Sequence, residues 1–299
     1  MNFATDRNAI NAAFSQPDYD GTFQGAFADY LRALGQRRPV LLFAFAPKAA
    51  GTFLRSAAID AVGGQLIRVV HAQGGRDAQP YLPVFIAYYL GGLCDGPLVA
   101  HMHMQALPAN RRFLEALGIR PIIMLRPLPD MLASYWDMLA ASEEARAEGL
   151  NCPIPARFPD FPAAEKADFM IEMIAPWYVG YFATWLDYVS ERPGDVCVLH
   201  YSEFQSDPAA ALQAALAHAN LPRPREVCQA ALDSAWKDRG SLRFNKGAAG
   251  RGRDYFSPAQ IARLSRMLSY HPVLDGWRDA LIGVPPVQAI GKSSTIPSD

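Results

Sequence analysis

Residues 39–54 read PVLLFAFAPKAAGTFL, and the fold turns on this stretch. Val40 to Phe45 is an apolar run with the length and composition of a buried strand. Small residues break it at Pro47, Lys48, Ala49, Ala50 and Gly51, and after Thr52 and Phe53 the residues suit a helix: Leu54, Arg55, Ala57, Ala58. A strand that stops at small residues and restarts as a helix leaves backbone N–H groups without intrahelical acceptors. Those donors, with the positive end of the helix dipole, form an anion site. Lys48 adds a full charge and Thr52 a hydroxyl. In nucleoside-triphosphate loops the lysine follows the glycines, as GxxxxGK[ST]; here it precedes them. Read alone, the stretch is also compatible with an ordinary strand-to-helix turn.

The rest of the chain alternates. Strand-like runs recur at 66–70, 97–104, 121–125 and 196–200, and helix-like segments at 23–34, 52–62, 109–117, 129–141, 169–190 and 209–219. This predicts an α/β fold with a mainly parallel central sheet flanked by helices. In such a sheet the ligand lies beyond the carboxyl ends of the strands. The anion loop, His103, Arg126 and Tyr201 all fall at such ends. We read residues 1–284 as one domain, with its core at 39–256 and a helical excursion around 142–190, followed by a polar tail over 285–299.

Composition bounds the function. With 51% apolar and 19% charged residues the chain is globular. A net charge of -1 offers no general attraction to nucleic acid or anionic membranes, so an anion site must be local. Cys94, Cys152, Cys197 and Cys228 lack zinc spacing and read as free thiols. Asp6 and Arg7 interrupt any secretory apolar core, and no window reaches the length of a membrane span, which predicts a cytoplasmic protein.

Three further segments bear on the chemistry. In RPLPDMLASYWD (126–137), Arg126 leaves a strand end and Ser134 follows eight residues later, a guanidinium and a hydroxyl suited to a dianionic phosphate. RFNKGAAGRGRDYF (243–256) is a basic, glycine-rich segment, and LHYSEFQSDP (199–208) puts Tyr201 at a strand end. Taken together with residues 39–54, in this order and at these distances, they resemble the sulfotransferases that use 3′-phosphoadenosine 5′-phosphosulfate (PAPS). The order strand–PK-small-small-G-T-aromatic–helix is similar to that family's 5′-phosphosulfate loop, and Arg126 with Ser134 to its 3′-phosphate motif. Residues 243–256 are similar to its RKGxxGxWKxxF signature, with Lys246, Gly247, Gly250, Arg253 and Phe256 in register.

The resemblance implies a P-loop nucleotide-hydrolase-like sulfotransferase fold and transfer of a sulfuryl group from PAPS to a hydroxyl, releasing PAP, with no metal. It implies that Pro47 to Phe53 bind the 5′ end, Phe53 stacking on adenine and Tyr201 lying near it. Arg126, Ser134, Asn245, Lys246 and Gly247 then hold the 3′-phosphate. Two positions depart from the family: Asn245 replaces an arginine and Gly252 a tryptophan, and Arg243 or Arg251 is placed to restore the missing charge.

Lys48, Thr52 and the loop amides would stabilise charge on the moving group. The acceptor needs a base, and His103, 23 residues before Arg126, stands where the family has a histidine. His101, on the same strand face, and Asp60, on the helix after the loop, are the alternatives. The His-x-His pair also admits a metal-dependent hydrolase, and Asn245 admits a relative that binds PAPS or PAP without transfer. Aromatic segments at 81–93 and 158–188 suggest an apolar pocket wall for a small or lipid-like alcohol or phenol.

Overall fold

The computed structural model describes residues 39–69, 80, 84–85, 96–148, 152–237 and 250–283, with Asp29 and Ala33. Most of the expected helix at 23–34, most of the segment at 81–93, the tail, and Asn245, Lys246 and Gly247 lie outside these residues.

Five strands form one parallel sheet: β1 (Val40–Phe43), β2 (Gln65–Ile67), β3 (Leu98–His101), β4 (Ile122–Leu125) and β5 (Cys197–His200). Their order is β2-β3-β1-β4-β5. The three inner strands are buried at every position, as near-continuous apolar runs in a doubly covered sheet must be. The helices used below are α1 (Gly51–Val62), α2 (Pro108–Leu117), α3 (Leu128–Ala141), α4 (Ala175–Glu191), α5 (Pro208–His218), α6 (Arg225–Lys237) and α7 (Pro258–Ser269). The mainly parallel α/β architecture expected from the alternation is the one observed.

Connections from β1 and β4 leave to opposite sides of the sheet, which opens a crevice between the ends of these two strands. Register deepens it. Phe43 pairs with Ile122, so β4 continues three residues past the end of β1, a rise of about 10 Å. The chain leaving β1 therefore curls beside β4, and Arg126 emerges at the crevice rim.

Two boundaries differ from the sequence reading for local reasons. β3 stops at His101, so His103 belongs to the following loop and does not share a strand face with His101. The long aromatic helix begins earlier, at Ala163, and contains a π-helical segment at Met170–Ile174 before α4. Pro176 cannot donate an amide to the preceding turn, and the wider π turn accommodates that loss.

Candidate active site

The loop Ala44–Ala50 is held from behind by its carbonyl oxygens. Tyr181 Oη donates to Ala44 O at 2.5 Å, His103 Nδ1 to Phe45 O at 2.7 Å, Tyr178 Oη to Pro47 O at 3.1 Å, and Arg126 Nη1 to Lys48 O at 2.5 Å. The Ala49 amide donates to Ala46 O at 3.3 Å. Trp185 Nε1 holds Met104 O, beyond β3, at 2.9 Å. Tyr178, Tyr181 and Trp185 sit at i, i+3 and i+7 on α4, so one stripe of a single helix supplies three of these donors. Burial pushes the Tyr181 phenol far above its ordinary range and keeps it a donor.

The amides of Ala50, Gly51 and Thr52 meet no acceptor among the described residues. Lys48 and Ala50 both take left-handed backbone angles, φ 66° and 63°. Neither residue favours that region; such strain collects where a turn must present donors to a ligand. No side chain caps α1, so its N-terminus offers the backbone alone. The Lys48 ammonium lies at its rim, with Nζ 3.8 Å from Met138 Sδ on α3.

His103 is almost wholly buried. A carbonyl only accepts, so Nδ1 carries the hydrogen in the bond to Phe45 and the neutral ring keeps its lone pair on Nε2. His101 stands perpendicular to it, with centroids 5.1 Å apart. Its ring fills the space where a side chain at position 51 would begin: a Cβ on Gly51 would lie 2.3 Å from Nε2. In an open helix, Gly→Ala adds stability of about 1 kcal/mol. Here Gly51→Ala is expected to reverse sign and cost about 1–3 kcal/mol by overpacking, read as a lower urea midpoint. An unchanged midpoint would mean that His101 does not brace the loop.

Asp60 is exposed and nine residues into α1, about 13 Å along the axis from Gly51. It faces a surface hollow with Glu226 and Val227, away from the loop. Among the described residues no group of three His, Cys, Asp or Glu could hold a metal ion, so the His101/His103 pair has no third donor there.

Arg126 is 6% exposed. Its guanidinium lies 4.2 Å over the Tyr201 ring, and Nε meets no acceptor among the described residues. Tyr201 is thus packed against the arginine. Burial lowers the Arg126 pKa, with Tyr201 and Asp130 opposing the shift. Ser134 is buried on α3. Phe53 meets Phe204 edge-on at 6.2 Å and Trp236 at 6.1 Å. Trp236, 47% exposed at the end of α6, was not singled out from sequence, although a tryptophan just before the 243–256 segment was the available signal.

Asp130 was also missed. Its buried carboxylate accepts the amides of Gly250 and Gly252 at 2.8 and 2.7 Å. This accounts for the glycine where the family has tryptophan: a Cβ at 252 would lie 2.4 Å from Pro129 Cβ. The glycine brings the backbone close enough to reach Asp130. The aromatics of 158–188 behave differently from the pocket wall expected of them. Phe158, Tyr178, Tyr181, Phe182 and Trp185 are fully buried, filling the core and bracing the loop; Trp177, stacked on Tyr181 at 5.5 Å, keeps partial exposure.

No protein-family model matches the chain, and no curated protein matches it in sequence. Solved structures do. Mouse sulfotransferase SULT7A1, in a complex with PAP, aligns with a TM-score of 0.57 at 13% identity over 87% of this chain and 94% of its own. A sulfotransferase from Alicyclobacillus acidocaldarius aligns at 16% identity over 87% of this chain and 91% of its own, with a TM-score of 0.39. The five-stranded parallel sheet, its helical layers and the first of these alignments agree: the chain has the sulfotransferase-family fold.

Proposed function

We propose that the protein transfers a sulfuryl group from PAPS to the hydroxyl of a small or lipid-like acceptor. The observation that carries this reading is the braced loop at the crevice between β1 and β4, whose carbonyls are held while the amides of Ala50, Gly51 and Thr52 meet no acceptor among the described residues. A rigid set of amides at a helix N-terminus suits the 5′ end of such a nucleotide. Arg126 and Ser134 suit its 3′-phosphate, the Phe53 and Trp236 rings its adenine. The solved PAP complex of a protein with this fold points the same way.

PAPS, when bound, supplies an activated sulfuryl group on a phosphate leaving group. His103 Nε2 takes the acceptor proton as the new oxygen–sulfur bond forms and the bond to the 5′-phosphate breaks. Lys48 and the loop amides neutralise the charge left on the departing oxygen. Lys246 and Gly247, with Asn245 in the arginine position, complete the 3′ grip on this reading.

Calorimetric titration with PAP, ADP and AMP tests the nucleotide assignment. The expected result is a preference for PAP that disappears in Arg126→Ala. Equal affinity for the three nucleotides in the wild type would overturn it. PAP release from PAPS over a panel of alcohols and phenols then separates an enzyme from a protein that only binds the nucleotide.

A further inference from the structure

The chain from Met104 to Ala106 belongs to neither strand nor helix, yet each of its carbonyls is held by a side chain. Trp185 Nε1 donates to Met104 O at 2.9 Å, Asn110 Nδ2 to Gln105 O at 2.7 Å, and Arg111 Nε to Ala106 O at 2.7 Å. The Ala106 amide donates to Thr184 Oγ1 at 3.2 Å, and that hydroxyl donates to Tyr181 O at 3.1 Å. Backbone that leaves a ladder inside a protein needs partners from somewhere. Here all of them come from α2 or α4, and His103 immediately precedes the segment they hold.

Arg111 joins the two helices. It projects from α2, and besides Ala106 O it reaches three groups on α4. Nη2 donates to Thr184 O at 2.9 Å and to Asp187 Oδ2 at 2.7 Å, and Nη1 donates to Glu191 Oε2 at 2.7 Å. Both carboxylates are about half exposed, where ion pairs contribute little to stability. The same helix supplies Tyr178 and Tyr181, which brace the anion loop. Loop and segment are thus fastened to one helix, the loop through tyrosines and the segment through Trp185, Thr184 and Arg111. They meet at the bond from His103 Nδ1 to Phe45 O. That bond decides which ring nitrogen carries the hydrogen, and so whether Nε2 keeps the lone pair that a base needs.

We infer that Arg111 is a positioning residue for proton transfer, with Asn110 beside it. By holding residues 104–106 to α4 the pair keeps His103 against Phe45 O and its lone pair on Nε2. The inference rests on the reading of His103 as the base and names the residues that aim it. The rigid guanidinium fork is what allows one side chain to grip the segment and the helix together.

The test compares Arg111→Met with the control Asp187→Asn/Glu191→Gln, which removes the charges on α4 and leaves the bonds to Ala106 and Thr184. Asn110→Ala carries the same test if Arg111→Met does not fold. Two-bond proton–nitrogen NMR on protein with labelled histidine, in mildly alkaline buffer, reports the ring nitrogen that is protonated; His103→Asn identifies the signal. Rates of PAP release and affinities for PAP and AMP are measured on the same samples. In Arg111→Met the His103 signal is expected to move from the Nδ1–H form toward a mixture of tautomers. Turnover should fall roughly 10- to 10²-fold per folded molecule, with PAP affinity unchanged. The control should keep the wild-type spectrum and rate. A folded Arg111→Met that keeps the Nδ1–H form and its turnover overturns the inference and leaves the nucleotide reading standing. Equal losses in the control overturn it too, since the ion pairs and not the grip on the segment would then be responsible. A wild type without preference for PAP over AMP overturns the nucleotide reading itself, and wild-type turnover in His103→Asn overturns the base.

Discussion

Replacing His103 with asparagine is expected to leave stability near that of the wild type and to lower turnover roughly 10²- to 10⁴-fold. The argument rests on the two ring nitrogens having separate tasks. Nδ1–H holds the carbonyl of Phe45, and Nε2 is the proton acceptor that we propose. The Asn amide nitrogen occupies nearly the place of Nδ1 and can donate to the same oxygen, but the side chain offers no base. Alanine removes both functions. It leaves a buried carbonyl unsatisfied, at a cost of about 1–3 kcal/mol, so its loss of turnover would be entangled with loss of the fold. Thermal melts and initial rates of PAP release on both variants separate the two effects. Turnover that survives in His103→Asn would remove His103 as the base, and loss in a folded His101→Ala would then point to its neighbour.

The second large effect is expected at Lys48, where stability and activity should move apart. A non-glycine residue at φ 66° costs roughly 1–2 kcal/mol, and glycine relieves that strain while losing about 0.5–1 kcal/mol through the freedom of its unfolded chain. Lys48→Gly should therefore be as stable as the wild type or slightly more so. Its turnover should fall about 10²- to 10³-fold, because the charge that answers the departing oxygen is gone. A rate equal to wild type would take Lys48 out of the mechanism. A marked loss of stability would show that the aliphatic stem of Lys48, whose ammonium reaches Met138, matters more to the loop than its backbone strain does.

The parts of the site that the sequence made legible are those written in one short segment. The apolar run, the small residues and the helix behind them are contiguous between Pro39 and Leu54, and Arg126 with Ser134 spans a single strand-to-helix junction. What braces these segments was not legible. Tyr178 and Tyr181 are separated from the carbonyls they hold by 131 and 137 residues. Nothing in an aromatic helix announces whether its hydroxyls face solvent, a ligand or a distant backbone. The same limit hid Asp130, a carboxylate in the first turn of a helix, where dipole stabilisation is explanation enough until Gly250 and Gly252 are seen against it. Tyr201 was read from its strand end as a neighbour of adenine; its packing under the Arg126 guanidinium depends on where two separate strands end.

The loop at the crevice offers an anion backbone amides, and an amide has no proton to gain or lose between mild acid and mild base. On the proposed reading, what it offers does not depend on the group that takes the acceptor proton. His103→Asn should then bind nucleotide as the wild type does and hold a complex that does not turn over, one that can be kept for study with both substrates in place.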